Sequence, residues 1–492
     1  MILSTLKNRG TAPLLLLSGL ALTTSGCISS DPTSDRSTVD ALVRPRLGES
    51  IDLEALQASP VSPPSVWNGL TPLDADAAVR VAFQRDAGIR VSLAELDLAR
   101  AELAQADLPP NPALDLAIGV AVDGASGAPA IVGITQQLTW IWTRPDRVDA
   151  RDADRRAMIL LAAETMIRLD AKVRRVHAAA IAAEATHLLD QAHAEATGRT
   201  VDAVTRLFEA GEASRIDLDR ARLNAAESAA TADASRRTAR QMKLEVLAGI
   251  GCPDASTDFD LRGSLADSGG SVPDEDRIVE LTRATRLDVA AARMRVLAAE
   301  AECRLAGSKR LPEVGVGAAW NQNFGDRQAV LPGARITLPI LDDGSAAIAA
   351  ANARLDRAQL ELLSIRRRAI GEVRSSREAF LRSDQQRIAY SETVLAPATE
   401  AETLAESAYR EGVIDLTVLL LAQQRRITAE RRLVKFQVTA ITDRISLQEQ
   451  VGGSFDLPPM PPVVPDIDHA TTTTDQTKTA VRSSSRGPEI QS

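Results

Sequence analysis

The stretch FEAGEASRIDLDRARLNAAES, residues 208–228, has a counterpart in YREGVIDLTVLLLAQQRRITAE, residues 409–430. Each opens on an aromatic residue and reaches a glycine three residues later, at Gly211 and Gly412. An alanine stands ten residues beyond each glycine, at Ala221 and Ala422, and the offset is 412 − 211 = 201 for both landmarks. Glycine enters the left-handed backbone region without a Cβ penalty, so a helix ending on it reverses easily. The phrase reads as the tip of a helical hairpin, made twice.

Working outward from the tips gives one programme in two passes. A long helix over about 146–208 precedes Gly211, and a shorter return helix covers about 214–248. Around Gly412 the pair falls at about 345–409 and about 416–450. Before each long helix stand two runs with period-two alternation, the signature of half-buried strands. The first pair, about 112–122 and 130–140, carries Leu114, Leu116, Ile118, Val120 and Val122, then Val132, Ile134, Leu138 and Trp140, on one side. The second pair, about 312–321 and 329–340, carries Val314, Val316, Ala318 and Trp320, then Ala334, Ile336, Leu338 and Ile340. A single opening helix precedes each pair, starting near Asp74 and near Asp274 and halted by prolines. The passes divide the chain into repeats at 67–260 and 261–456.

Helix length adds a constraint. At about 1.5 Å per residue the long helices span roughly 95 Å and the return helices about 50–55 Å. The shortfall is close to the length of an opening helix, so opening and return helices are expected end to end beside each long one. The strands add another. Four strands cannot close a barrel, and an open sheet with an apolar face leaves its edges unpaired. Runs of about ten residues are long enough to cross a bilayer as barrel wall. Closure then needs several copies, and Trp140, Trp142 and Trp320 are candidates for an interfacial girdle. The plainer reading is a small sheet capping a helical domain.

The 492 residues carry a net charge of −9 with only 3% aromatics, and no basic stripe marks a nucleic-acid partner. Lys7 and Arg9 precede APLLLLSGLAL, too short for a permanent membrane helix but suited to a secretory signal over 1–26. The run ends in TTSGC and is similar to a bacterial lipoprotein signal that would leave Cys27 lipidated at the mature N-terminus, although Thr24 stands where Leu is usual. An ordinary signal cut near Ser25 is the alternative. Ile28, where an Asp would argue for the inner membrane, favours the outer one by the same analogy. Residues 27–66, rich in Ser, Pro and Asp, read as an extended tether, and 457–492 as a disordered tail.

Cys252 and Cys303 fall in different elements and are expected as free thiols. His177, His187 and His193 are ten and six residues apart, which makes no ligand pair on a helix face, so they are expected in solvent. No metal cluster, catalytic triad or carboxylate dyad suggests an enzyme or a cofactor. Gly198 and Pro397 lie inside the long helices, where glycine loosens and proline bends, and are candidate hinges.

The chain resembles the TolC-type outer-membrane efflux family over roughly residues 70–452. The resemblance rests on AELDLARAELAQADLPPNP at 94–112, the two tip phrases and the duplicated order of elements. It implies a mostly α fold with a membrane β-barrel: a homotrimer whose twelve-stranded barrel continues into an α-helical tunnel. It implies a passive exit duct coupled through a periplasmic adaptor to an inner-membrane pump, and the signal is similar to those of the lipoprotein branch. By that resemblance the adaptor docks at the tip turns, Glu209, Gly211, Glu212, Arg410, Glu411 and Gly412. Asp217 and Tyr409 match positions that hold the tunnel entrance shut. Positions matching an acidic ring are Val418 and Leu421, and a basic tip position is Ile414, so an apolar constriction is expected. The PPNP region is similar to cation-efflux members, without a ligand cluster to match. The competing reading is a lipid-anchored periplasmic coiled-coil scaffold or adaptor.

Overall fold

The computed structural model describes residues 31, 33–47, 67, 69, 71–120, 128–266, 271–323 and 327–457. The leader with Cys27, much of the 27–66 stretch and the tail beyond Leu457 lie outside the described residues.

A helix α1 (Thr33–Leu47) comes first. One series follows: α2 (Ala75–Arg85), α3 (Ala87–Asp107), β1 (Ala113–Ile118), β2 (Ala130–Gln137), α4 (Trp140–Glu209) and α5 (Arg215–Gly249). The second has α6 (Glu275–Thr285), α7 (Leu287–Gly307), β3 (Glu313–Gln322), β4 (Gln328–Thr337), α8 (Ser345–Tyr390), a π turn (Ser391–Leu395), α9 (Ala396–Arg410) and α10 (Leu416–Val451). With 70 residues α4 is ~105 Å long, and 35-residue α5 is ~53 Å.

Each opening helix is broken once, where the sequence suggested continuity. Asp86 is extended (φ −66°, ψ 125°): its N–H still donates to the Ala82 carbonyl, while its carboxylate accepts from the Ile89 N–H at 3.0 Å. It ends α2 and caps α3. Arg286 holds the same place 200 residues on (286 − 86), with φ −67° and ψ 121°. Its side chain is no cap; it pairs with Asp288 at 2.6 Å and Glu372 on α8 at 2.9 Å. The Asp-Ala-Gly at 86–88 was a legible capping signal, since a Cβ on Gly88 would meet the Asp86 carboxylate at 2.8 Å. Nothing comparable marks Arg286.

The return helices end against these breaks. Gly251 turns at φ 73° and Gly452 at φ 97°; added Cβ atoms would sit 2.9 Å from Arg85 Cβ and 3.2 Å from the Thr285 carbonyl oxygen. The end-to-end meeting of opening and return helices thus rests on two glycines with 452 − 251 = 201 residues between them.

Residues 27–66 depart from the expected extended tether, because α1 lies within them. Val39, Leu42 and Val43 share one helical face and are fully buried. Asp35 sits 2.5 Å from Arg155 on α4 and 3.5 Å from Arg100 on α3, and Arg36 2.7 Å from Asp97. Arg46, at the end of α1, donates to the Thr285 carbonyl at 3.2 Å, and burial lowers its guanidinium to about 10. The average composition of the stretch hid this short apolar stripe.

The main core joins α1, α2, α3, α4, α5 and α7 through Leu42, Ile89, Leu96, Ile159, Leu160, Met166, Leu247 and Met294. Alanines on the facing sides of α4 and α7 (Ala157, Ala163, Ala290, Ala291) are buried, and small side chains let helix axes approach closely. A smaller cluster holds α6, α8 and α10 with Ile278, Val373, Phe380 and Leu447.

Candidate functional site

The strands form one antiparallel sheet in the order β1-β2-β3-β4, with the two pairs joined between β2 and β3. Leu114 faces Ile134 and Leu116 faces Val132; Val132 in turn faces Trp320, and Trp320 faces Val330. Opposed residues of an antiparallel pair share a face, so these rows join Leu114, Leu116, Ile118, Val132, Ile134, Val316, Trp320, Val330 and Ile336 into one apolar surface. Within one chain that surface is open: Leu116 is 67% exposed, Ile118 79% and Val330 65%. The reverse face carries Asp115, Thr135, Gly133, Gly315, Gly317, Asn321 and Arg335, with Ile131 and Leu331 among them. Among the described residues the outer strands β1 and β4 each pair with a single strand.

β2 stops at Gln137, short of the expected Trp140. The Thr139 hydroxyl accepts the Val314 N–H at 3.0 Å and its carbonyl the Thr143 N–H at 3.3 Å, so the chain turns directly into α4. Trp140 and Trp142 therefore stand at the sheet–helix junction, and Trp320 lies near the far end of β3. No helix among the described residues is long and apolar enough to cross a membrane.

At the opposite end each long helix closes in the same hydrogen-bond pattern. The Gly211 N–H donates to the Phe208 carbonyl at 3.0 Å and Glu212 to Leu207 at 2.8 Å. Gly412 donates to Tyr409 at 3.0 Å and Val413 to Ala408 at 2.9 Å. With φ of 80° and 74° the glycines supply the left-handed residue this motif requires. Glu209, Glu212, Arg410 and Glu411 surround the turns and are exposed, while half-buried Phe208 beside Glu209 packs inward.

Asp217 closes a capping box: Ser214 Oγ accepts from its N–H at 3.2 Å, and its carboxylate accepts from Ser214 Oγ at 2.6 Å and N at 3.2 Å. Those bonds hold its carboxyl below the usual range. Tyr409 packs into the tip cluster of Val204, Leu218, Leu416 and Leu419; burial, and then the Asp217 charge, push its phenol up. Ile414 packs against this cluster, while Val413, Val418 and Leu421 are exposed, Val413 at 72%. The two tips are tied by Arg220, which donates to Thr417 Oγ1 at 2.8 Å.

The two hinge candidates differ. α4 runs through Gly198 unbroken, with Thr197 beside it bonded to Ser228 of α5 at 2.6 Å. Pro397 directly follows the π turn at 391–395, which splits the helix expected over 345–409. Tyr390, at the head of that turn, meets Phe436 of α10 edge-on at 4.9 Å.

Sequence reading missed a charged layer joining the hairpins above the tips. Arg431 on α10 lies 2.5 Å from buried Asp190 on α4, and Arg426 bridges Glu430 at 2.5 Å and Glu402 on α9. Only the Arg426–Glu430 spacing was visible in sequence. The histidines also depart from expectation. His177 and His193 are buried, His177 bonding the Leu73 carbonyl at 3.0 Å, because the face that carries them packs inward. Burial pushes both imidazoles down. Cys252 is buried and Cys303 half-buried, both free. Among the described residues no group of three or more His, Cys, Asp or Glu side chains is set to hold a metal.

The family model described as "Outer membrane efflux protein" matches residues 278–453, from α6 to the end of α10. Over those residues the chain resembles the outer membrane efflux protein domain. Its fold is similar to that of the outer-membrane channel OprN, at 18% identity, covering 77% of this chain and 90% of that one, with a TM-score of 0.64. It is similar to VceC of Vibrio cholerae (17% identity; 78% and 97% covered; TM-score 0.65) and to the MtrE outer membrane channel of Neisseria gonorrhoeae (18%; 77% and 89%; 0.65). No curated protein sequence matches the chain. These likenesses, at 17–18% identity, show a shared fold.

Proposed function

We propose that this chain is the outer-membrane exit duct of a tripartite efflux or secretion system. One observation carries the reading: a four-stranded sheet with a continuous exposed apolar face and two unpaired edge strands in the same chain. Apolar side chains that face solvent in one copy are stable against lipid, and unpaired edges are satisfied when β4 of one copy meets β1 of the next. Three copies supply twelve strands. OprN and MtrE are outer-membrane channels, which supports the same setting for this chain.

The helices then form a tunnel across the periplasm, and the tips around Gly211 and Gly412 meet an adaptor that links the duct to an inner-membrane pump. Glu209, Glu212, Arg410 and Glu411 are offered as its docking residues. Asp217, Tyr409, Ile414, Val418 and Leu421 close the entrance, with apolar rather than acidic side chains at the narrowest level. The π turn beside Pro397 is the better hinge, since a break already exists there; Gly198 is the weaker one. Lipidation of Cys27 is consistent with α1, which holds the chain six residues further on against α4. Six extended residues reach about 20 Å.

Electron microscopy of the detergent-purified protein tests the reading. A hollow particle with three-fold symmetry and a barrel at one end is expected. A monomeric rod that forms no barrel would replace it with the lipid-anchored periplasmic scaffold or adaptor.

A further inference from the structure

We propose that Arg335 is the specificity-determining residue of the barrel, keeping its lumen from favouring cations. The inference rests on the three-copy duct proposed above. The charged residues of the four described strands are Asp115, Glu313 and Arg335, so Arg335 is their single base against two acids.

The register puts all three on the reverse face. A Cβ on Gly133 would lie 3.7 Å from Asp115 Cβ and 3.6 Å from Ala319 Cβ, and one on Gly315 would lie 4.0 Å from Arg335 Cβ. These residues therefore point the same way, while Ile336 next to Arg335 belongs to the apolar face. Once lipid covers that apolar face, the reverse face is the lumen. Glu313 pairs with Thr337, one inward position below the Gly315–Arg335 row. Asp115 pairs with Gly133, and Gly133 with Ala319, so its row lies four residues from Gly315, about 13 Å along the strand.

The β3 neighbour of Arg335 is a glycine, and Gln137 of β2 completes the row as an uncharged side chain. Gly315 faces it across the ladder, and Gly317 and Gly333 face each other in the next inward row. A Cβ on Gly317 would meet the Ile134 carbonyl at 2.4 Å, so that position takes no other residue. A long guanidinium rising from a floor of glycine is the tallest group at its level. Three copies set three such cations in a ring just above three Glu313 carboxylates. At 0.1 M salt the screening length is about 10 Å, so Arg335 balances Glu313 nearby more strongly than the Asp115 row beyond it.

The test measures reversal potentials of the purified protein in planar bilayers under a KCl gradient at low ionic strength. Arg335→Gln should raise the potassium-to-chloride permeability ratio by about threefold or more, as expected for fixed charge lining a pore. Adding Glu313→Gln to that variant should bring the ratio back toward the wild-type value. A conducting Arg335→Gln channel with an unchanged ratio overturns the inference and leaves the duct intact. Wild-type protein that neither inserts nor conducts overturns the duct itself.

A channel closed at its helical end is read from outside instead. In intact cells a membrane-impermeant thiol reagent, scored against the parent with its own cysteines, should label Arg335→Cys and spare Ile336→Cys. The opposite pattern overturns the inference.

Discussion

The two long hairpin arms come from one sequence phrase and are built differently. α4 runs 70 residues without a break and is buried along much of its length, by α1, α3, α5 and α7. The matching arm is 46 residues of α8, a five-residue π turn and 15 residues of α9, with few buried side chains and a small core cluster. Gly198 leaves α4 unbroken, and Thr197 beside it is tied to Ser228 of α5. Proline in the other arm coincides with a break, because little packs there to oppose it. We propose that the first arm is the fixed member of the pair and the second the one that yields.

Leu160 in the large core and Leu447 in the small one test that contrast with the same chemistry. Each Leu→Ala change removes a fully buried side chain and should cost about 2–5 kcal/mol. Leu160 belongs at the upper end, since its walls are held by many helices, and Leu447 at the lower; thermal loss of helical circular dichroism ranks them. Equal losses would break the distinction.

At the tips the arms should behave alike. Gly211→Ala and Gly412→Ala each force a Cβ into the left-handed region, at a cost of about 1–2 kcal/mol. No atom stands within 4 Å of either added Cβ, so crowding adds nothing, and the two melting shifts should agree.

Acid should loosen the first arm. His177 and His193 both sit on α4 with imidazoles pushed down by burial. For His193, Arg431 and Arg426 add to that effect against Asp190 and Glu430. A depressed histidine leaves stability intact above the unfolded value, about 6.5, and loses it as pH falls through the folded one. Melting temperature should drop below about pH 6.5 and less so in His177→Gln, which cannot bind the proton. An unchanged pH profile in that variant would remove His177 from the account.

The smallest effect on stability belongs to Pro397→Ala. The arm already yields at the π turn, so assembly and melting should hardly change, while efflux, read as drug susceptibility of cells, should fall as the arm stiffens. Unaltered efflux would leave the break without a role.

The legible parts of this protein were those written in local pattern. Period-two runs marked the strands, the Gly-centred phrases marked the tips, and the positions of Gly211 and Gly412 needed only φ above zero. What escaped were features set by neighbours far away in sequence. The break at Arg286 has no capping signal and is held by Glu372, 86 residues on. α1 gains its stability from Arg155 and Arg100, and Asp190 its partner from Arg431. His177 and His193 seemed solvated because spacing excludes a ligand pair but says nothing of which face packs inward.

By itself the sequence determined periodicity and punctuation: two hairpins, two strand pairs and the left-handed turns between them, because these follow from backbone preference and the alternation of side chains. Tertiary structure alone decided which arm is rigid, where the opening helices break, and which charges meet across the hairpins. Those depend on what lies within a few ångströms of each residue, and helices tens to hundreds of residues apart in sequence supply it.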